Sequence, residues 1–185
     1  MSGTIAAHAL IVFGLASLAT GAGAASASST LSLDPLFSTN MVIQRGRPVP
    51  IHGKGVPGAG VVVRLLGAEA RSVVAPDGRW SATLPPLAGG VGELAVTQAD
   101  GATISAANVA AGDVFLCSGQ SNMDLAVSDT AYPRRTADEG EGVAVRLLKI
   151  RRTSRPQSGD ALDSELAWAP AGPASLPTFS AACWH

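Results

Sequence analysis

Between residues 36 and 108, short apolar segments alternate with turn-forming residues, and this pattern restricts the fold of the region more than any other feature. Strands of about 4–8 residues bounded by Gly, Pro, Asn or Asp are typical of antiparallel sheets. The 21 Gly and 12 Pro of the chain agree with many turns. The pattern therefore predicts a small β-sandwich-like unit. Its predicted strands are residues 49–52, 61–66, 71–74, 79–84 and 93–97.

The predicted strand 79–84 shows the clearest alternation of apolar and polar side chains. Trp80, Ala82 and Leu84 occupy alternate positions, and successive side chains of a strand point to opposite faces. We therefore predict that these three residues face the core of the β-unit. Trp80 is expected to be a core residue, the alternative being a surface on which a sugar ring stacks. No residue of the β-unit is a candidate for catalysis.

The character of the sequence changes after residue 108. Residues 112–123 read GDVFLCSGQSNM, an apolar run that breaks into small polar residues around Ser121. We predict that residues 114–117 form a buried central strand of an α/β domain, with Ser121 just beyond its carboxyl end. Gly119 permits a tight turn there. The sequence Gly-x-Ser lacks the second glycine of the Gly-x-Ser-x-Gly elbow, so it does not match the α/β-hydrolases.

Composition and charge limit the function classes. With 46% hydrophobic and 15% charged residues, the chain is globular rather than disordered. A net charge of −1 gives no electrostatic basis for binding nucleic acid or an anionic membrane surface. No spacing of residues indicates a metal site or a phosphate loop, and we expect no cofactor.

The first residues of the chain indicate export. Residues 9–19 are mostly apolar, and Ala22-Gly23-Ala24 offers the small residues at which a signal peptidase cuts. No Lys or Arg precedes the apolar run, so a retained amino-terminal anchor is the alternative. That run is short for a spanning helix, which needs about 20 apolar residues. We predict a signal peptide over residues 1–24, a linker over 25–35, and a periplasmic or extracellular protein that does not stay on the membrane.

Several segments resemble the sialate O-acetylesterase family, secreted members of the SGNH hydrolase superfamily. The most specific is GDVFLCSGQSNM, described above, and Trp168 also falls in the family's order. The resemblance covers roughly residues 34–185. Its other segments are LFSTNMVIQR (36–45), PVPIHG (48–53), DGRWSATLPPL (77–87), VRLL (145–148) and FSAA (179–182).

The resemblance implies a fold and a reaction. The fold is a β-sandwich-like unit over residues 36–108, followed by an SGNH, flavodoxin-like α/β hydrolase domain that is incomplete over 109–185. The implied reaction is hydrolysis of an O-acetyl ester on a sugar, with Ser121 as nucleophile and its backbone N–H in the oxyanion hole. The family carries further oxyanion donors and an Asp-x-x-His pair in later segments. We therefore expect this chain to be the amino-terminal portion of such an enzyme, truncated and inactive.

The histidines do not supply the base that a serine nucleophile needs. The chain has three, and none of them lies in an Asp-x-x-His sequence. His8 belongs to the predicted signal peptide, whereas His52 lies in a predicted β-unit strand. His185 is the last residue of the sequence. We interpret His52 and His185 as structural.

Other candidate residues have structural interpretations. Asp113 is expected to hold the loop, and Asp124 and Asp129 to stabilise the start of a helix. An exported protein allows a disulfide between Cys117 and Cys183. The resemblance calls for no bridge, however, and we expect both cysteines to be free thiols and buried. A basic stretch begins at residue 146 and is interpreted as a solvated surface.

Two functions from different classes remain open. The first is the serine O-acetylesterase, with an O-acetylated sugar as its substrate. The second is a noncatalytic secreted fragment that binds carbohydrate or is purely structural. In this case the β-unit is the only part that folds and functions. The sequence indicates neither the acetylated sugar nor the oligomeric state.

Overall fold

The structure is a computed structural model, and it describes residues 31–150 and 167–185. The predicted signal peptide lies outside the described residues. Within residues 31–150 and 167–185, the chain forms ten strands and two short α-helices, together with 3₁₀ turns. In chain order the strands are β1 (Ser32–Leu33), β2 (Val42–Gln44), β3 (Val49–Lys54), β4 (Gly60–Leu65), β5 (Ala68–Val73), β6 (Arg79–Leu84), β7 (Gly90–Gln98), β8 (Thr103–Gly112), β9 (Arg146–Leu147) and β10 (Ala169–Pro170). The helices are α1 (Pro133–Glu139) and α2 (Ala181–Trp184).

Two sheets make up the β-rich region. A five-stranded sheet has the order β2-β8-β7-β4-β5, and a three-stranded sheet has the order β1-β3-β6. Neighbouring strands are antiparallel except for β2, which runs parallel to β8 with Val42 beside Ala110. The mixed, sheet-rich architecture agrees with the predicted predominance of strands.

Both sheets contribute to one hydrophobic core. Trp80 is only 3% exposed, and its indole Nε1 donates a hydrogen bond to the carbonyl oxygen of Lys54 at 2.9 Å. Ala82 and Leu84 are buried with it, whereas the alternate residues of β6 are exposed, which confirms the predicted orientation of this strand. From the five-stranded sheet come buried residues that include Val61, Val63, Leu65, Leu94, Val96 and Val109.

The predicted central strand at residues 114–117 is wrong. Within the described residues this segment pairs with no strand, and its single described backbone bond goes from the Val114 N–H to Gln44 Oε1. Phe115 and Leu116 are 86% and 88% exposed. A buried parallel strand requires neighbours on both sides and cover on both faces. The described residues provide neither, so the apolar run stays extended and solvent-exposed.

The region after residue 120 forms a second, smaller cluster. Its buried residues are Ala137, Leu147, Ala171 and Leu176, with Phe179 and Trp184 packed against them. Within residues 143–150 the structure forms only the short strand β9, which pairs with β10. Trp168 links this region to the β-sheets, because its Nε1 donates to the Leu36 carbonyl oxygen at 3.1 Å. No helix among the described residues has the length and apolar character to cross a bilayer.

Candidate active site

Ser121 lies at the start of a short 3₁₀ helix (Ser121–Asp124) on the protein surface. The Met123 N–H donates to the Gln120 carbonyl at 2.9 Å and closes the turn around the serine. A Cβ atom at Gly119 would lie 2.8 Å from Met123 Cγ, closer than real side-chain contacts allow. Glycine at this position therefore lets the Met123 side chain fold back beneath the turn. As a result, the turn presents the Ser121 side chain to solvent.

Ser121 lines an open groove of about 550 Å³. One wall is the segment that carries the serine. The opposite wall comes from the end of the β9 segment and from the region around α2. The lining residues on the first wall are Phe115–Ser121, Met123 and Asp124, and those on the second are Leu148, Lys149, Ile150, Phe179, Ser180 and Cys183. The groove therefore combines apolar walls with a few polar groups, as ligand sites commonly do.

Cys117 and Cys183 form a disulfide, so the prediction that they are free and buried is wrong. Their Cα atoms lie 5.8 Å apart, within the usual range for bridged cysteines. The prediction placed Cys117 in a buried strand, whereas it lies on the exposed extended segment. From there it faces α2, the helix that contains Cys183. The disulfide therefore crosses between the two walls of the groove.

A second attachment follows Ser121. The Ala181 N–H donates to the Leu125 carbonyl at 2.8 Å, and the Val127 N–H donates to the Phe179 carbonyl at 3.0 Å. An isolated β-bridge pairs Ala126 with Ser180 between them. The chain is thus fixed to α2 and to the two residues before that helix. The link that precedes Ser121 is the covalent bridge, and the links that follow Ser121 are backbone hydrogen bonds.

Two polar side chains on the second wall were not predicted to lie at a site, and one of them, Lys149, belongs to the basic stretch that was interpreted as a solvated surface. Lys149 Nζ donates to the Thr178 carbonyl at 2.7 Å, which holds the ammonium group at the groove. Ser180 precedes α2 in the N-cap position, but its Oγ makes no capping hydrogen bond. That oxygen is buried and has no hydrogen-bond partner among the described residues. Their placement at the groove depends on tertiary packing, which neither the basic stretch around Lys149 nor the segment around Ser180 reveals.

Among the residues that the structure describes, no histidine lines the groove. The His52 ring on β3 lies edge-on to Phe37 with a centroid distance of 4.9 Å, and its Nδ1 is 3.8 Å from Asp34 Oδ2. His185 directly follows α2, and its N–H donates to the Ala181 carbonyl at 3.2 Å. His8 lies outside the described residues. These contacts agree with a structural role for His52 and His185.

The carboxylates near the turn have separate surroundings. Asp113 accepts two hydrogen bonds from the Arg45 guanidinium, at 3.0 Å from Nε and 2.7 Å from Nη2. This pair confirms that Asp113 holds the loop. Asp124 lines the groove one helical turn from Ser121. Asp129 accepts a hydrogen bond from Ser128 Oγ at 3.2 Å and does not line the groove.

Comparison with known proteins identifies the relatives of the chain. No protein-family model matches it. The sialate O-acetylesterase of Mus musculus is 30% identical over 193 residues, which covers 94% of this chain and 35% of that protein. The human sialate O-acetylesterase is 30% identical over 166 residues and is matched over 80% of this chain and 32% of its own length.

A solved structure of a carbohydrate acetylesterase is similar to the chain in its fold. The crystal structure of a carbohydrate acetylesterase from Xanthomonas citri superposes with a TM-score of 0.76 and 27% sequence identity, covering 83% of this chain and 35% of that one. The chain spans about a third of the length of these relatives. Over nearly all of its residues, it belongs to the sialate O-acetylesterase family.

Proposed function

We propose that the chain carries the nucleophile of a carbohydrate O-acetylesterase, and that this nucleophile is Ser121. The observation that carries the proposal is the exposure of Ser121 on a glycine-containing turn at the edge of a groove. In the proposed reaction, Ser121 Oγ attacks the acetyl carbonyl and the sugar hydroxyl leaves. Water then hydrolyses the acetyl-serine to acetate and regenerates the serine. The sialate O-acetylesterase relatives support a sialate ester as the substrate.

The Ser121 backbone N–H is proposed as an oxyanion donor. No hydrogen bond from this N–H is found among the described residues, so it can bind the oxygen of a tetrahedral intermediate. Donors of this kind stabilise the charge that develops in the transition state. Removing one such donor typically costs about 10²–10³ in turnover. The Ser121 turn thus supplies both the attacking oxygen and one donor.

We propose that the 185 residues alone have little esterase activity. A serine hydroxyl requires a base within hydrogen-bond reach, and no histidine lines the groove. The sequence also contains no Asp-x-x-His. Losing members of a catalytic triad costs on the order of 10⁴–10⁶ in turnover. Full activity then depends on a base from residues outside this sequence.

We further propose a domain organisation and a location for the chain. The two sheets form the β-sandwich-like unit, and the groove region begins an SGNH-type α/β domain after residue 108. The protein is exported, with residues 1–24 as its signal peptide. A disulfide between Cys117 and Cys183 supports export, because disulfides persist in oxidising compartments.

The test compares hydrolysis of p-nitrophenyl acetate and of an O-acetylated sialate by two forms of the protein. One form is the 185-residue chain, and the other is extended by whatever the gene encodes after His185. We expect activity in the extended form, and its loss by a factor of about 10⁴ or more in Ser121→Ala. Ser118→Ala is the matched control, since Ser118 is an exposed serine of the same wall.

Three results would contradict the proposal. Activity that survives Ser121→Ala in the extended form would remove the nucleophile assignment. Ser121-dependent activity in the 185-residue chain would show that its own residues supply the base. Sugar binding without hydrolysis in both forms would instead favour a noncatalytic carbohydrate-binding protein.

A further inference from the structure

The Ser121 turn has little packing of its own. Its 3₁₀ helix contains no buried residue, and residues 113–120 are exposed. On the β-sheet side, the segment is attached by the Arg45–Asp113 ion pair and by the bond from Val114 to Gln44. Exposed ion pairs contribute only about 0–1 kcal/mol. Contacts with the sheets therefore do not determine where the serine lies.

The attachments to α2 determine its position. The Cys117–Cys183 disulfide comes four residues before Ser121, and the Leu125 carbonyl, which accepts from Ala181, comes four residues after it. The turn is thus held between two points on one short helix. Of these two attachments, the backbone hydrogen bonds are individually weak, at about 0.5–1.5 kcal/mol each. The disulfide is the covalent one.

We propose that Cys117 and Cys183 are positioning residues for Ser121, and that the groove is assembled only when their disulfide is formed. The inference rests on the proposed role of Ser121 and goes beyond it by making the geometry of the site redox-dependent. In the oxidised chain, the bridge holds the serine wall against the wall that presents Lys149 and Ser180. Without it, the serine wall loses its covalent link to that wall, and the backbone hydrogen bonds from Ala181 and Val127 remain beyond Ser121.

The Ser121 turn needs the disulfide because the exposed segment that carries the serine has conformational freedom. Fixing the backbone of one residue costs about 1–2 kcal/mol, and no buried side chain of the turn offsets that cost. A cross-link removes part of this freedom before any substrate binds. A misplacement of about 1 Å at a reacting group can lower turnover by about 10²-fold. Cleaving the bridge should therefore affect catalysis much more than it affects the sheets.

Reduction of the bridge is a balanced thiol–disulfide exchange. A dithiol such as dithiothreitol attacks one sulfur and forms a mixed disulfide, and its second thiol then closes to a cyclic disulfide. Cys117 and Cys183 take up two electrons and two protons and become thiols, while the dithiol is oxidised. Reoxidation reverses the change, which separates a positioning effect from irreversible damage.

The experiment measures amide hydrogen exchange in the full 185-residue chain before and after dithiothreitol. The probes are the hydrogen-bonded amides of Met123, Val127 and Ala181, with Val63 and Val96 in the sheet core as controls. We expect exchange at the three probes to accelerate about tenfold or more on reduction, and exchange at the controls to stay unchanged. The Cys117→Ser/Cys183→Ser double variant should exchange like the reduced chain, with or without dithiothreitol.

A second readout uses the extended form of the protein, in which kcat should fall about tenfold or more on reduction and recover on reoxidation. Two results would overturn the positioning role. The first is unchanged exchange at the three probes after verified reduction. The second is Ser121-dependent turnover that does not change on reduction. The exchange readout needs no activity. If the three probes respond while hydrolysis survives Ser121→Ala, the proposed nucleophile fails and the role of the disulfide in holding the turn stands.

Discussion

Arg146 on β9 binds Asn108 on β8, thirty-eight positions earlier in the chain. Its Nη2 donates to Asn108 Oδ1 at 3.0 Å, and its Nη1 donates to the Asn108 carbonyl. The same Nη1 donates to the carbonyls of Asn40 and Met41 at 3.3 and 3.1 Å. Asn108 has a positive φ of 55°, a conformation that asparagine tolerates better than most residues. This one guanidinium joins the groove region to β8 and to the two residues that precede β2 in the five-stranded sheet.

Arg146→Met should lower the free energy of unfolding by about 0.5–1.5 kcal/mol, because partly buried carbonyl oxygens lose a charged donor. Burial also lowers the pKa of Arg146 from its ordinary value, although the group stays charged at neutral pH. Urea denaturation measures the change. Arg146→Lys retains the charge but not the planar donor set, and it should recover only part of the loss. Equal stability of Arg146→Met and the parent would contradict this account.

Trp80→Ala should cost about 3–5 kcal/mol, because the side chain is buried between the two sheets. Trp80→Phe is the graded control. It keeps an aromatic ring but loses the hydrogen bond to Lys54, and it should cost less than the alanine variant. The urea midpoint of each variant gives the comparison. An unchanged midpoint for Trp80→Ala would mean that the indole does not stabilise the core.

Ser180→Ala should leave stability unchanged or raise it by up to about 1 kcal/mol. A serine at an N-cap normally contributes about 1 kcal/mol, but the Ser180 side chain makes no capping bond. Its buried hydroxyl is unpaired, and an unsatisfied polar group costs about 1–3 kcal/mol. Ser38→Ala should behave alike, since Ser38 Oγ is also buried without a partner among the described residues. Destabilisation of both variants in thermal denaturation would contradict the prediction.

Glu69 on β5 should titrate below the usual range of a glutamate. The hydrogen bond from Arg71, together with that from Arg64, lowers its pKa. Because the folded-state pKa is lowered, the stabilisation is present above the unfolded-state pKa and is lost as pH falls through the folded-state pKa. NMR titration of the Glu69 carboxyl carbon measures the midpoint. Arg71→Ala should move it upward, and an unchanged midpoint would show that Arg71 does not stabilise the carboxylate.

Local sequence patterns predicted much of the β-region. The strand Arg79–Leu84 has the predicted bounds and orientation, because alternation and flanking turn residues are both local signals. Strand β8 was not predicted, since TISAANVAAG contains few of the bulky β-branched or aromatic residues that mark strands. Its pairing with β7 and β2 depends on tertiary contacts that no short window contains.

The groove region was harder to predict because its structure also depends on tertiary contacts. The run Val-Phe-Leu-Cys looks like a buried strand, but burial depends on neighbours that the run does not encode. The Cys117–Cys183 bridge follows from the place at which α2 packs, which the spacing of two cysteines does not reveal. Arg146 was assigned to a solvated basic stretch, yet its position on β9 directs it to backbone carbonyls of the sheet. By contrast, the position of Ser121 on an exposed turn was predicted, because glycine and small polar residues mark such turns locally.

The parallel pairing of β2 with β8 has a consequence for the order in which the chain folds. Val42 lies beside Ala110, and every other strand of the two sheets except β1 lies between them in sequence. Because five other strands separate β2 from β8 in sequence, β2 has no partner until the rest of the sheet region is available. The hairpin of β4 and β5 and that of β7 and β8 need only local contacts and can form earlier. We therefore expect β2, the first strand of the five-stranded sheet in sequence, to be the last to be incorporated.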